Sequence, residues 1–161
     1  MKDICDFINT VDVEDIKPIL KRQIDYNWAI AEEGIKGNYG ANIGKVLLDM
    51  EGNNVRVRAK AMAAAGSDAR MNGCELPVVI NSGSGNQGIT ASVPVIVYAK
   101  ELKVGEEKMY RALALSNLAA IHQKHRSAVF PHTVVQSVQV QAQVQVSHIC
   151  AAAVSKRSHI Q

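Results

Sequence analysis

The sequence has few aromatic residues, no large excess of charge of one sign and no long apolar run. Aromatic residues make up 4% of the 161 residues, so aliphatic side chains, alanine and glycine must form the core. The net charge is +3 and the basic residues are scattered, which argues against a nucleic-acid-binding surface. No apolar run approaches the roughly 20 residues that a membrane-spanning helix needs. These shortages predict a globular protein that binds neither nucleic acid nor a membrane.

Cysteine is too sparse to define a metal site or a disulfide framework. Cys5, Cys74 and Cys150 lie far apart, form no Cys-x-x-Cys pair and are odd in number. The segment that starts at Met1 has no signal-peptide pattern, so we expect the protein in the cytoplasm.

The histidines form no catalytic or metal-binding set by spacing. His122 and His125 are three residues apart near the end of a predicted helix, a spacing compatible with two metal ligands. No third ligand accompanies them at a fixed spacing, and the helix dipole also favours histidine at this position. His132, His148 and His159 support no site, and no Ser–His–Asp or Cys–His arrangement can be assembled. The sequence therefore predicts no metal site.

Helix signals dominate residues 12–126. The capping residue Asp12 precedes acidic residues, and apolar side chains then recur on one face up to Ile30. Pro18 favours a regular helix that begins near Lys17. This first helix is predicted to end at Gly34 and Gly37. Further helices are predicted over residues 45–50, 55–65 and 91–99, and from Glu106 onward. Residues 66–73 are predicted to interrupt the helix that covers residues 55–65. The predicted fold class is mainly α, with Gly/Asn-rich loops at helix N-termini.

The stretch NSGSGNQGIT, residues 81–90, is the most informative in the chain. Its glycines allow positive φ angles and close approach of the backbone to a ligand, and its amides and hydroxyls offer donors without fixed charge. An apolar helix follows, with Pro94 expected in its first turn. Free N–H groups at a helix N-terminus attract an anion. The loop therefore predicts a cradle for a small carboxylate or phosphate, formed by Asn81, Ser82, Gly83, Ser84, Gly85, Asn86 and Gln87.

Two alternatives to an anion cradle remain open. Residues 83–88 match the dinucleotide-binding pattern G-x-G-x-x-G after the strand-like residues 78–80. No βαβ unit surrounds this pattern, however, and no acidic residue closes a strand about 20 residues later. The second alternative is a loop that uses its glycines only to turn, and it leaves the polar side chains unexplained.

Polar residues outside the loop have both functional and structural interpretations. Arg70 can hold a carboxylate through a two-pronged hydrogen bond, and we include it among the candidate substrate-binding residues. As structure, Asp68 and Arg70 form a helix cap and a surface ion pair, which their spacing slightly favours. Asn38, Tyr39 and Asn42 are equally compatible with a site loop and with a turn that joins two helices.

Five segments carry a resemblance to a known family. They read AEEG (residues 31–34), SDARM (67–71), LP (76–77), NSGSGNQGIT (81–90) and RALALSNL (111–118). Together they closely resemble the L-serine dehydratase α-chain-like family, in the branch of the L-cysteine desulfidases and their uncharacterised bacterial relatives. The match runs from about residue 11 to residue 124.

The resemblance implies a lyase that eliminates the β-substituent of a small amino acid. Family members convert L-cysteine to pyruvate, ammonia and sulfide, or L-serine to pyruvate and ammonia. They use a 4Fe–4S cluster that three cysteines hold, and its open iron acts as a Lewis acid on the leaving group or the substrate carboxylate. An uncharged loop suits this chemistry, because the cluster rather than a protein cation would supply the positive charge.

The chain departs from the family pattern at both ends. About ten residues precede the matching part, where the family has a region with a cysteine implicated as catalytic base. The three cluster cysteines have no counterparts at matching places. We therefore expect a truncated, inactive family member that carries no cluster, with exposed apolar helix faces that favour a homo-oligomer. The alternative function is a non-enzymatic module that binds a small anion or a nucleotide through the Gly-rich loop.

The tail differs in character from the rest of the sequence. Residues 134–146 alternate apolar and polar side chains, which is typical of a strand, but no partner strand is predicted upstream. We divide the chain into a partial serine dehydratase α-like domain, residues 1–126, and an irregular or weakly β low-complexity tail, residues 127–161. Val–Gln repeats coded GTG-CAG become Gly–Ala repeats at an offset of two nucleotides. We therefore hypothesise that the tail is the product of a frameshift. The nucleotide sequence around codon 126 tests this hypothesis.

Overall fold

The structure, a computed structural model, describes residues 2–126. This range contains six α-helices and the loops that connect them. The helices are α1 (Lys2–Thr10), α2 (Val13–Lys36), α3 (Ile43–Glu51), α4 (Val55–Met71), α5 (Gly85–Glu101) and α6 (Glu106–Arg126). The only β pairing within this range is an isolated bridge between Asn81 and Ser84. The prediction of a mainly α fold is confirmed. The tail, with its strand-like residues 134–146, lies outside the described residues.

Helix α5 lies at the centre of the fold. All of its side chains from Ile89 to Ala99 are buried, because α2, α4 and α6 pack around it. A helix that is apolar on all sides needs such an environment. Pro94 lies in the interior of α5 and not in its first turn, where the sequence analysis expected it, because α5 begins at Gly85, earlier than predicted. None of the described helices has the length and apolar character needed to cross a membrane.

Small residues let α2 and α4 pack closely. A Cβ atom on Gly34 would lie 2.1 Å from the carbonyl oxygen of Ala65, and one on Gly66 would lie 3.2 Å from Cα of Ala31. Both glycines lie inside helices, so the predictions that Gly34 helps to end α2 and that Gly66 breaks α4 are wrong. Their missing side chains serve the contact between the helices. Gly37 is the C-terminal cap of α2, as predicted.

The start of α2 also differs from the prediction. The helix begins at Val13, where the Asp12 carboxylate accepts a hydrogen bond from the Glu14 N–H at 3.0 Å. Pro18 lies inside this helix, so the prediction that the regular helix begins near Lys17 is wrong. Helix α1, which the sequence did not indicate, places Ile8 in the core next to Leu20 of α2. Packing thus outweighs the local preference of the proline.

Candidate functional site

A tight turn connects residues 76–80, which belong to no helix or strand, to α5. Asn81 and Ser84 exchange backbone hydrogen bonds of 3.1 and 3.0 Å across it. The two central residues, Ser82 and Gly83, have φ angles of +49° and +80°. Two positive φ angles are typical of a type I′ turn, in which glycine is favoured and serine is rare. The turn therefore holds one non-glycine residue in the left-handed region, a strain that tends to occur at functional sites.

The N-terminus of α5 follows the turn directly and is the candidate anion site. Ser84 caps the helix: its hydroxyl oxygen accepts from the Gln87 N–H at 3.4 Å, and its carbonyl accepts from the Gly88 N–H at 3.0 Å. Within residues 2–126 the N–H groups of Gly85 and Asn86 donate to no protein acceptor. The helix dipole adds partial positive charge here. Two donors without a protein partner and this charge therefore lie at the start of α5, where Gly85 is buried and Asn86 is half-buried.

Two basic side chains approach the loop. The Arg70 guanidinium lies against Gly85, where a Cβ atom would be 2.4 Å from its Nε, and its Nη1 donates to the Asn86 Oδ1 at 3.0 Å. The Lys124 ammonium, at the end of α6, donates to the Ser82 carbonyl. The loop itself is uncharged, as the sequence shows, but protein cations accompany it. The expectation that a metal supplies the positive charge stays a prediction, and Arg70 and Lys124 are two protein cations next to the loop.

A cluster of amide side chains fixes the turn against two helices. The buried Asn81 amide nitrogen donates to the Asn117 side-chain oxygen at 2.7 Å and to the Asn117 carbonyl at 3.3 Å. The Asn117 amide nitrogen donates to the Gln23 Oε1 at 2.7 Å, and the Gln23 Nε2 donates back to the Asn117 Oδ1 at 3.0 Å. The Ser82 hydroxyl donates to the Asn81 Oδ1 at 2.8 Å. The position of the turn is thereby coupled to the packing of α2 against α6.

A second amide holds the residues that precede the turn. Asn27, fully buried on α2, accepts from the Val79 N–H at 2.8 Å and donates to the Val79 carbonyl at 3.1 Å. It also donates to the Ser92 hydroxyl of α5 at 3.0 Å. Residues 78–80, which the sequence suggested as strand-like, form no strand, and Val79 pairs with the Asn27 side chain instead. Gly88 allows this, because its Cβ would lie 2.0 Å from the Val79 carbonyl oxygen.

The dinucleotide interpretation of G-x-G-x-x-G is not supported by this arrangement. In the described part of the chain no βαβ unit surrounds the motif. Each glycine has another role: Gly83 adopts the positive φ of the turn, Gly85 makes room for Arg70, and Gly88 lies against Val79. The match is one of letters rather than of structure.

The other candidate residues separate into two groups. Asp68 does not pair with Arg70; its Oδ2 accepts from the Ile43 N–H at 2.9 Å, at the start of α3. Asp68 thus serves as a helix cap, as the structural interpretation predicted, but the predicted ion pair is absent between these two described side chains. Arg70 is at the loop, as the functional interpretation required.

Asn38, Tyr39 and Asn42 lie in the connection between α2 and α3. The Asn38 Oδ1 accepts from the Lys45 ammonium at 2.9 Å, and Asn42, with φ +52°, begins α3. The Tyr39 hydroxyl donates to the Glu33 carboxylate at 3.0 Å. This bond, followed by the interaction with the Cys74 thiol and by burial, raises the pKa of Tyr39 to about 12. These contacts favour a turn that joins two helices.

The described residues do not offer the ligands of an iron–sulfur cluster. No three of the His, Cys, Asp and Glu side chains in this range converge as a metal site would require. Cys5 is exposed on α1 and Cys74 is half-buried after α4. Cys150, the side chain of His125, and His132, His148 and His159 lie outside the described residues. The donor set at hand therefore does not fit a 4Fe–4S cluster.

Sequence reasoning missed four residues that build the site. Gln23 and Asn27 are buried polar residues in the stripe of α2 that also includes Leu20 and Ile30, and polar residues at such positions were a detectable signal. Asn117 lies within one of the segments that carry the family resemblance. Lys124 had no local signal, because only the fold brings the end of α6 to the turn.

Known proteins similar to this chain are much longer than it. The family model of the serine dehydratase alpha chain matches residues 3–154. UPF0597 proteins of Desulfitobacterium hafniense and Lachnoclostridium phytofermentans are 66% and 64% identical over 121 residues, which is 75% of this chain and 28% and 29% of theirs. One of Treponema denticola is 52% identical over 129 residues, 77% of this chain and 30% of its own length. The chain thus spans under a third of these curated relatives. No solved structure matches.

Replacing Asn117 by alanine tests the amide cluster. The change removes the acceptor of Asn81 at 2.7 Å and both side-chain partners of Gln23. Buried polar groups that lose their partner cost about 1–3 kcal/mol, so urea unfolding should show that loss of stability. Asn53→Ala, at an exposed position, is the matched control and should stay within about 0.5 kcal/mol. Equal unfolding midpoints for the two variants would contradict the role of the cluster.

Proposed function

The chain belongs to the serine dehydratase alpha chain family, and on this premise we propose that it provides the carboxylate-binding part of an amino-acid lyase site. The parent reaction is β-elimination from L-serine or L-cysteine, which gives pyruvate and ammonia, with sulfide from cysteine. The observation that carries the proposal is the convergence of the Gly85 and Asn86 N–H groups with the Arg70 guanidinium at the start of α5. Such a set of donors matches a small carboxylate.

The magnitudes assign the larger part of carboxylate binding to Arg70. A helix dipole stabilises an anion by typically about 0.3–1 kcal/mol, whereas a hydrogen bond to a charged group contributes about 1.5–3 kcal/mol. Asn86 orients the guanidinium through its side-chain oxygen. Gly85 leaves room for this approach, because a Cβ atom there would lie 2.4 Å from the Arg70 Nε and would force the arginine side chain to shift.

The candidate loop residues divide into those that build the site and those that face the ligand. Asn81 and Ser82 hydrogen-bond within the protein, and the Ser84 hydroxyl caps α5. Gly85 and Asn86 offer backbone donors. The Gln87 Nε2 is buried and has no partner among the described residues, which makes it a further donor for a polar ligand. The loop's contribution to the reaction is binding and orientation of the substrate.

Binding measurements distinguish this proposal from a general anion module. By calorimetric titration, L-serine and L-cysteine should bind more tightly than L-serinamide, which has no carboxylate, and more tightly than NAD or ATP. Arg70→Gln should weaken binding of L-serine about tenfold, since it removes a charge-assisted hydrogen bond. Arg56→Gln, an exposed arginine on the first turn of the same helix, is the control and should leave binding unchanged.

Two results would contradict the proposal. Equal affinity for L-serine and L-serinamide would show that the carboxylate is not recognised. Tighter binding of NAD or ATP, with the same dependence on Arg70, would instead support the non-enzymatic anion- or nucleotide-binding alternative.

We expect the isolated chain to bind substrate without turning it over. The described residues bring no cluster ligands together, so the metal side of the parent site is not supplied by them. After anaerobic treatment with iron and sulfide, pyruvate formation from L-cysteine and from L-serine should equal that of a blank without protein. Turnover well above the blank would overturn this expectation. It would not bear on carboxylate binding at the loop, which the titrations test.

A further inference from the structure

A cavity lies near the C-terminal end of α5, opposite the candidate site. It has a volume of about 390 Å³ and lies among α2, α4 and α5. Gly85 and Lys100 are 15 residues apart on α5, a distance of about 22 Å at 1.5 Å per residue, so the cavity is separate from the loop. Its volume lies within the range of roughly 300–1,000 Å³ that is usual for small-molecule sites.

The wall of the cavity is largely apolar. Trp28, Ile35, Met62 and Val97 contribute side chains from three different helices. Trp28 is only partly buried and is the one tryptophan of the chain. A wall of this kind favours a ligand with an alkyl or aromatic part, because binding then removes apolar surface of both the ligand and the protein from contact with water.

The rim of the cavity has one more positive than negative charge. Two of its three cations have carboxylate partners: Arg58 pairs with Glu101, and Lys36 lies 3.8 Å from Glu32. The third, Lys100, has its ammonium 3.4 Å above the centre of the Trp28 ring. Burial lowers the pKa of Lys100, an effect that Glu32 only partly offsets. Lys100 remains exposed at the rim, and a cation that pairs with a ring rather than a carboxylate is suited to receive an anion.

We propose that this cavity binds a small amphipathic carboxylate, with the carboxylate on Lys100 and the apolar part against Met62, Val97 and Trp28. A cationic ligand is disfavoured because Lys100 already occupies the face of the Trp28 ring and the rim has a net positive charge. The proposal is independent of the amino-acid site, because the two sites share no residue.

Fluorescence of Trp28 is a direct readout, since no other tryptophan contributes. Titration of the full chain with sodium octanoate below its micelle concentration should give a saturable change, which calorimetry confirms as binding. Octan-1-ol, with the same chain and no charge, should bind at least about tenfold more weakly, as should octanoate to Lys100→Met. Lys21→Met is the matched control, because Lys21 pairs with Asp25 outside the cavity, and its affinity should be unchanged.

A second variant separates binding in the cavity from loss of structure. Met62→Gln makes the wall polar and should weaken octanoate binding while circular dichroism shows that the helices are retained. No saturable change with octanoate in the unaltered protein would overturn the proposal. So would equal affinities for octanoate and octan-1-ol, or full affinity in Lys100→Met. Unchanged binding of L-serine in all these variants would show that the amino-acid site is not the cause.

Discussion

The hydrogen bonds among Gln23, Asn81 and Asn117 are the interaction on which the proposed site depends. Gln23 and Asn81 are buried, so their amide groups must find partners, and both find them in the half-buried Asn117. Because Gln23 lies on α2 and Asn117 on α6, the turn can adopt its strained form only when the two helices are packed together. The site is in this sense a product of tertiary structure, and the loop sequence alone does not specify it.

Helix α5 transmits this constraint to the donor groups of the proposed site. Ser84 caps the helix immediately after the turn, so the direction of the Gly85 and Asn86 N–H groups follows from the position of the turn. Burial of α5 along its length fixes the helix axis, and Gly85 lets Arg70 reach its end. A rigid helix with a preorganised set of donors binds an anion with little loss of conformational entropy.

Local signals in the sequence predicted the elements and the loop, but not their contacts. The Asp12 cap, the end of α2 at Gly37 and the start of α6 at Glu106 are short-range features and were predicted correctly. Gly34, Gly66 and Pro94 were misread, because their roles depend on neighbouring helices. The polar loop indicated an anion site by its composition. The bonds from Asn117 and Lys124 join residues 36 and 42 positions apart, and no local pattern encodes them.

The convergence of two backbone donors and Arg70 on one carboxylate is tested most directly by nuclear magnetic resonance of the ¹⁵N-labelled chain. Titration with L-serine should shift the amide signals of Gly85 and Asn86 most, and L-serinamide should leave them nearly unchanged. The largest shifts at residues remote from the start of α5, or equal shifts with both compounds, would contradict a carboxylate site at this helix terminus.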